Sequence, residues 1–103
     1  MLIHHPDNIK NLCCIYIYRF NDGSFYIGKT TDLSQRLCTY KSLFTKGRQL
    51  SKKILGKLEI FDEVTFDILE VVEDATTLKD RETFHVRSNL KDSNMLNSRK
   101  FFL

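Results

Sequence analysis

Seven polar residues between positions 16 and 97, namely Tyr16, Tyr26, Lys29, Arg36, Tyr40, Glu82 and Asn97, are of kinds that a hydrophobic core does not require. Six of them can donate a hydrogen bond to a phosphate or offset its charge. The seventh, Glu82, is a carboxylate in line with apolar residues on a helical stripe, and a carboxylate is costly to bury unless something partners it. Phenols, a guanidinium, an ammonium and one acid together point to phosphodiester chemistry with a metal ion. Each group also has an ordinary alternative. Glu82 can be a carboxylate at the core's edge paired with an arginine, and any single tyrosine can be a half-buried aromatic of a strand or helix. Tyr18 is read in that ordinary way, and His85 as a surface histidine with its own partners.

The first of these residues need two strands to carry them. Residues 13–20 are β-branched and aromatic, Asn21, Asp22 and Gly23 are turn formers, and residues 24–28 are strand-like again, so a β-hairpin is expected. With a three-residue loop and Gly23 in the left-handed position, Phe20 faces Ser24, Tyr18 faces Tyr26 and Tyr16 faces Gly28. Tyr16, Tyr18 and Tyr26 then share one face, and Ile15, Ile17, Phe25 and Ile27 the other. A two-residue loop would move Tyr26 to the aliphatic side, because a slip of one residue reverses every side chain; the three-residue loop is preferred.

Thr30, Thr31 and Asp32 form a capping signal, completed as a box by Gln35, ahead of Leu33, Leu37, Tyr40 and Phe44 at helical spacing. Arg36 and Tyr40, four apart, are neighbours on the flank of this helix. Gly47 ends it. A second helix is expected over about residues 49–58, a third strand over residues 64–72 in a central position, and a third helix from Asp74 or Thr76 with Leu78, Glu82, Val86 and Leu90 inward. Residues 101–103 are expected to fold back onto the core. The whole reads as an N-terminal arm, residues 1–12, and one domain, residues 13–103.

The net charge of +3 conceals a strong asymmetry. From Lys29 to Lys57, eight basic residues stand against Asp32 alone, a net +7, while from Glu59 to Glu82 nine acidic residues stand against Lys79 and Arg81, a net −7. A basic half of this density suits a polyanion such as nucleic acid. Lys41, Lys46, Arg48, Lys52 and Lys53 are expected to contact its backbone, with an affinity that falls steeply with salt. The three cysteines match no zinc or redox spacing and are read as reduced packing residues. No apolar run is long enough to span a membrane and the N-terminus lacks a signal-peptide layout, so a soluble, intracellular protein is expected.

Cys14-Ile15-Tyr16, followed ten residues after its tyrosine by Tyr26-Ile27-Gly28, resembles the signature of the GIY-YIG nucleases. The likeness extends to an arginine on the next helix (Arg36), a glutamate on a later helix (Glu82) and an asparagine near the end (Asn97), and covers residues 13–97. Lys29, three past Tyr26, and Tyr40, four past Arg36, resemble the repair branch typified by the N-terminal domain of bacterial excinuclease C; homing endonucleases more often have histidine at the place of Tyr40. Cys14 departs from the usual glycine, at a position that shapes the strand.

The resemblance implies an α+β fold, a small three-stranded antiparallel sheet flanked by helices. It implies a metal-dependent DNA endonuclease that cuts one strand per active site, in repair or recombination. Glu82 would be the metal ligand. One protein carboxylate is meagre for zinc but suits a single Mg²⁺ or Mn²⁺ that keeps most of its waters. Tyr16 would be the general base, its proton made easier to lose by Lys29 and the metal. Tyr26 would hold water or a phosphate oxygen, Arg36 would grip the scissile phosphate, Tyr40 would assist, and Asn97 would fix the glutamate or the local backbone.

Two other readings stay open. One is a catalytically silent nucleic-acid-binding module, against which the joint presence of Tyr16, Arg36 and Glu82 argues. The other is a homing-type nuclease that relies on a separate recognition partner. DNA is the expected partner and a membrane is not; a targeting protein or a homodimer is left open.

Overall fold

A computed structural model describes residues 1–46 and 50–99. Its centre is the hairpin of β2 (Cys14–Arg19) and β3 (Phe25–Thr30). The register is the one a three-residue loop dictates: Tyr18 pairs with Tyr26, Tyr16 with Gly28, and the Phe20 amide donates to the Ser24 carbonyl across Gly23 at φ +88°. Gly23 takes this left-handed conformation without the penalty a Cβ would bring.

The sheet has four strands and is mixed, where three antiparallel strands were expected. Its order is β1 (Leu2–His4), β4 (Glu63–Val71), β2, β3, with β1 parallel to β4 and the other pairs antiparallel. Part of the segment read as an arm therefore pairs: the Leu2 amide donates to Asp62, and His4 bonds Glu63 at 3.1 Å. Three residues are too few to show a strand period, so this edge strand leaves no pattern in the sequence. The ladders on the two sides of β4 overlap only at Thr65, so the strand expected to be central is flanked by one neighbour over most of its length. Opposite the step from Ile15 to Tyr16 the ladder is irregular, with Ile15 facing Glu70 and Tyr16 facing Ile68, so Leu69 is the extra residue of a bulge.

Helices cover both faces. On one side lie α1 (Leu33–Lys46) and α2 (Lys52–Ile60); on the other lies α3 (Leu78–Ser88), entered through a 3₁₀ turn at Ala75–Thr77. Asp32 caps α1 by accepting from the Gln35 amide, but the return half of the expected box is absent. The Asp32 amide instead donates to the Thr30 hydroxyl. Ser51 caps α2 by accepting from Ile54, which starts that helix later than expected, and Asp74 caps the 3₁₀ turn rather than α3. Leu90 lies past the end of α3 yet still packs on its apolar side. Gly47, Arg48, Gln49 and residues 100–103 lie outside the described residues, so the helix break at Gly47 and the folding back of residues 101–103 do too. Among the described residues no helix is long and apolar enough to cross a membrane.

Two cores result. Tyr16, Tyr18, Phe66, Tyr40, Phe44 and Leu37 pack between the sheet and α1, while Ile15, Ile17, Ile27, Val86, Leu78 and Met95 pack between the sheet and α3. Residues 94–97 run along the outer edge of β3. Asn94 accepts from the Phe25 amide, Leu96 donates to the Phe25 carbonyl, and the Asn97 side chain bonds both backbone groups of Ile27. An edge strand with bare amides is a template for unwanted pairing, and this segment covers it. The next outward-pointing residue by strand alternation, Lys29, borders a cavity instead.

Candidate active site

The cavity opens where the sheet ends. It is about 570 Å³ and is bordered by Tyr16, Tyr26, Gly28 and Lys29 of the hairpin, Arg36 and Tyr40 of α1, and Glu82 of α3. Six of the seven singled-out residues therefore converge on one space from both faces of the sheet. The aromatic face supplies Tyr16, Tyr26, Arg36 and Tyr40. The face under α3 supplies Lys29 and Glu82. Asn97 stands apart: it is buried, and its carboxamide is spent on the Ile27 amide (2.9 Å) and carbonyl (2.8 Å). It holds the strand between Tyr26 and Gly28, and does not touch the glutamate.

Tyr16 and Gly28 are a cross-strand pair, and the Tyr16 ring lies over the glycine. A Cβ at Gly28 would overlap the ring carbons and the hydroxyl. The glycine is thus a seat for the tyrosine ring, a demand already implicit in the hairpin register. Cys14 pairs with Thr30 and Val71 inside the sheet, and burial pushes its thiol up to about 11, which keeps it an unreactive packing group. Cys13 packs partly against the aliphatic core, but Cys38 is exposed on α1 and is not a packing residue.

The hydroxyls of Tyr16 and Tyr40 share a hydrogen bond of 2.8 Å. Burial pushes the Tyr16 phenol far above its ordinary value, Tyr40 adds to this, and the Arg36 guanidinium pulls the other way. Burial likewise holds Tyr26 up at about 12 and raises Tyr40. The expected easing of the Tyr16 proton by Lys29 is not met. Lys29 directs its ammonium to Glu82, 3.3 Å from Oε1, and the phenol sits in a desolvated place that favours its neutral form.

The Glu82 side chain is 13% exposed and its Lys29 partner 43%. The expected arginine partner is a lysine, and the pair is open to water on the cavity side, so it is not a sealed internal ion pair. Oε2 has no hydrogen bond among the described residues. Among those residues no group of three His, Cys, Asp or Glu side chains converges. A lone hard carboxylate oxygen beside an open polar cavity fits Mg²⁺ or Mn²⁺, which retain water ligands, and does not fit zinc. Arg36 is exposed and its side chain forms no hydrogen bond or ion pair among the described residues, so its fork is available to an anion at the cavity mouth.

Lys41, Lys46, Lys52 and Lys53 are exposed on α1 and α2, and none borders the cavity; Arg48 lies outside the described residues. His85 is removed from the site, bonding Glu70 at 2.8 Å beside a bidentate Arg81–Glu70 pair. Sequence reasoning missed the wall made by Thr30 at the end of β3, Thr31 in the link, and Gln35 and Thr39 of α1's first turns. The capping signal at Thr30 to Asp32 was its available clue, since a helix capped there must aim positions 35, 36 and 39 beside the hairpin. It also missed the buried environment of Tyr18.

The family model described as the GIY-YIG catalytic domain matches residues 12–96. No curated protein and no solved structure matches the chain.

Proposed function

The chain belongs to the GIY-YIG catalytic-domain family, a family of endonucleases, and on that premise we propose that it hydrolyses phosphodiester bonds of DNA, cutting one strand per active site with Mg²⁺ or Mn²⁺. The observation that carries this reading is the convergence of Tyr16, Tyr26, Arg36, Tyr40, Lys29 and Glu82 on one open cavity. Glu82 is the protein ligand of the proposed cation, which when bound supplies positive charge to offset that of the reacting phosphate. Arg36 grips a non-bridging pair of phosphate oxygens through parallel donors. Tyr26 and the Tyr16–Tyr40 pair orient the attacking water as neutral hydroxyls. Tyr16 could act as the base only as its phenolate, formed by releasing its own proton to solvent; burial disfavours that form, cationic charge in the cavity beyond that of Arg36 would favour it, and it would then take one proton from the attacking water. Lys29 holds the carboxylate in place and shares it with the cation.

Lys29 and Tyr40, at their spacings from Tyr26 and Arg36, support the excinuclease-C-like branch and a role in repair or recombination. One observation favours a second reading. The Lys29–Glu82 pair already satisfies one carboxylate oxygen, as a silent binding module would require. Plasmid nicking with and without Mg²⁺ separates the two. The expected result is metal-dependent nicking that falls by about 10³-fold in Glu82→Gln while DNA binding persists, a loss in the range that removal of a preorganised charged group produces. Nicking that survives the substitution overturns the assignment.

A further inference from the structure

Beside the reactive cavity lies a second one of about 760 Å³ that shares Tyr26, Lys29, Arg36, Tyr40 and Glu82 as its near wall. Its far wall has another character. Leu43, Leu50, Ile54 and Leu96 make it apolar, and Lys79, Thr83 and Ser98 lie on its border. Tyr18 also borders it. That residue is 0% exposed, and its hydroxyl is sealed beside that of Tyr40, out of reach of a bound group.

A space with an apolar wall and cations at its mouth, continuous with the place of the reacting phosphate, matches a flat ring flanked by phosphates. Arg36 and Lys79 form no ion pair among the described residues and are free to meet those phosphates. We infer that this cavity takes an unpaired nucleobase from the nucleotide beside the scissile phosphate, with the ring against the Leu43, Leu50, Ile54 and Leu96 wall and the flanking phosphates on Arg36 and Lys79. A base held in a duplex stack cannot enter such a recess without being extruded, and an already unpaired one enters at least cost. The inference thus narrows the proposed substrate to DNA with a displaced or bulged nucleotide at the cut, and rests on the nuclease reading for that cut alone.

The test measures binding and not cleavage. Anisotropy at fixed salt compares the Glu82→Gln protein on three DNAs: a paired duplex, the same duplex with one bulged nucleotide, and that bulge with its base removed. The bulged DNA is expected to bind about tenfold tighter than either control, within what stacking a single base contributes. Leu43→Trp, which fills the recess, should bring all three to within about twofold. Equal affinities, an abasic bulge that binds as tightly as the base-bearing one, or a preference that survives Leu43→Trp overturns the inference. Should Leu43→Trp fail to fold, the abasic comparison decides alone. Absence of nicking in the wild type would sink the nuclease reading and leave these affinities unaffected.

Discussion

The two faces of the sheet are built from different materials. Under α1 the packing is aromatic: the Tyr18 ring lies 5.0 to 6.0 Å from those of Phe66, Tyr26, Tyr40, Phe44 and Phe20, and Tyr16 meets Tyr40 edge-on at 6.0 Å. Under α3 it is almost wholly aliphatic, with Ile15, Ile17, Ile27, Val86 and Met95 and a single reactive group, Glu82, at its rim. The difference teaches how a small domain makes a site without opening its core. A phenol keeps its Cβ in the interior and extends a hydroxyl to the sheet's edge, so the aromatic face delivers polar atoms while its ring contacts still offset the cost of burial. The aliphatic face keeps its interior apolar and delivers only Lys29 and Glu82, both at its rim.

If this division is right, substitutions on the two faces should separate activity from stability. The largest effect beyond that of Glu82 itself is expected from Tyr16→Phe. Its cleavage rate should drop by about 10²- to 10³-fold, and its stability by only about 1–3 kcal/mol, because one buried hydrogen bond is lost and the Tyr40 hydroxyl is left alone. Single-turnover nicking alongside urea unfolding reads both, and a variant that keeps more than a tenth of the activity removes the chemistry from the aromatic face.

Ile17→Ala should do the reverse. It empties a fully packed site among Ile27, Val86 and Met95 and should cost about 3 kcal/mol, yet leave the rate per folded molecule within about twofold because Ile17 points away from the cavity. A collapse of the rate in well-folded protein would mean that the aliphatic face does more than support.

Gly28→Ala straddles the comparison. The added methyl overlaps the Tyr16 ring, so the ring must turn out of its seat. A loss of about 1–3 kcal/mol should come with about a tenfold lower rate. Unchanged unfolding would show that Tyr16 moves freely, contrary to its close packing.

The smallest effect concerns pH. Tyr16, Tyr26 and Tyr40 all have phenols raised by burial, Tyr26 to about 12, against an ordinary value near 10. The folded chain thus holds these protons more tightly than the unfolded one. Stability from this source is complete below pH of about 10 and is lost as pH rises through the folded values. Melting temperatures measured from pH 8 to pH 11 should fall less steeply in Tyr26→Phe than in the parent; identical slopes would mean that the face is wetter than its packing indicates.

Much of this was legible from residue order. Alternation around Asn21, Asp22 and Gly23 specified the hairpin register, the two faces and the Tyr16–Gly28 pair, because strand geometry is periodic and local. The seven site residues could be picked out by type, and six of them do meet at one cavity. Other features could not be read. Leu2–His4 is too short for a period and owes its strand to Glu63–Val71, a contact across most of the chain. Asn97 could be matched to a family position, but its use as a clasp on Ile27 depends on where a return segment falls. The lift that burial gives the Tyr16 phenol could not be read, because charge is visible in a sequence and desolvation is not.

By itself, then, the order of residues determined the hairpin, the helical stripes and the membership of the chemical group, since all three follow from local geometry and side-chain type. Tertiary structure alone decided that Lys29 turns to Glu82, that Tyr16 is kept neutral and that the reactive groups reach one cavity from opposite faces around the end of β3. The physical reason is that solvent exposure and through-space distance set charge states, and both arise only when remote segments close on one another.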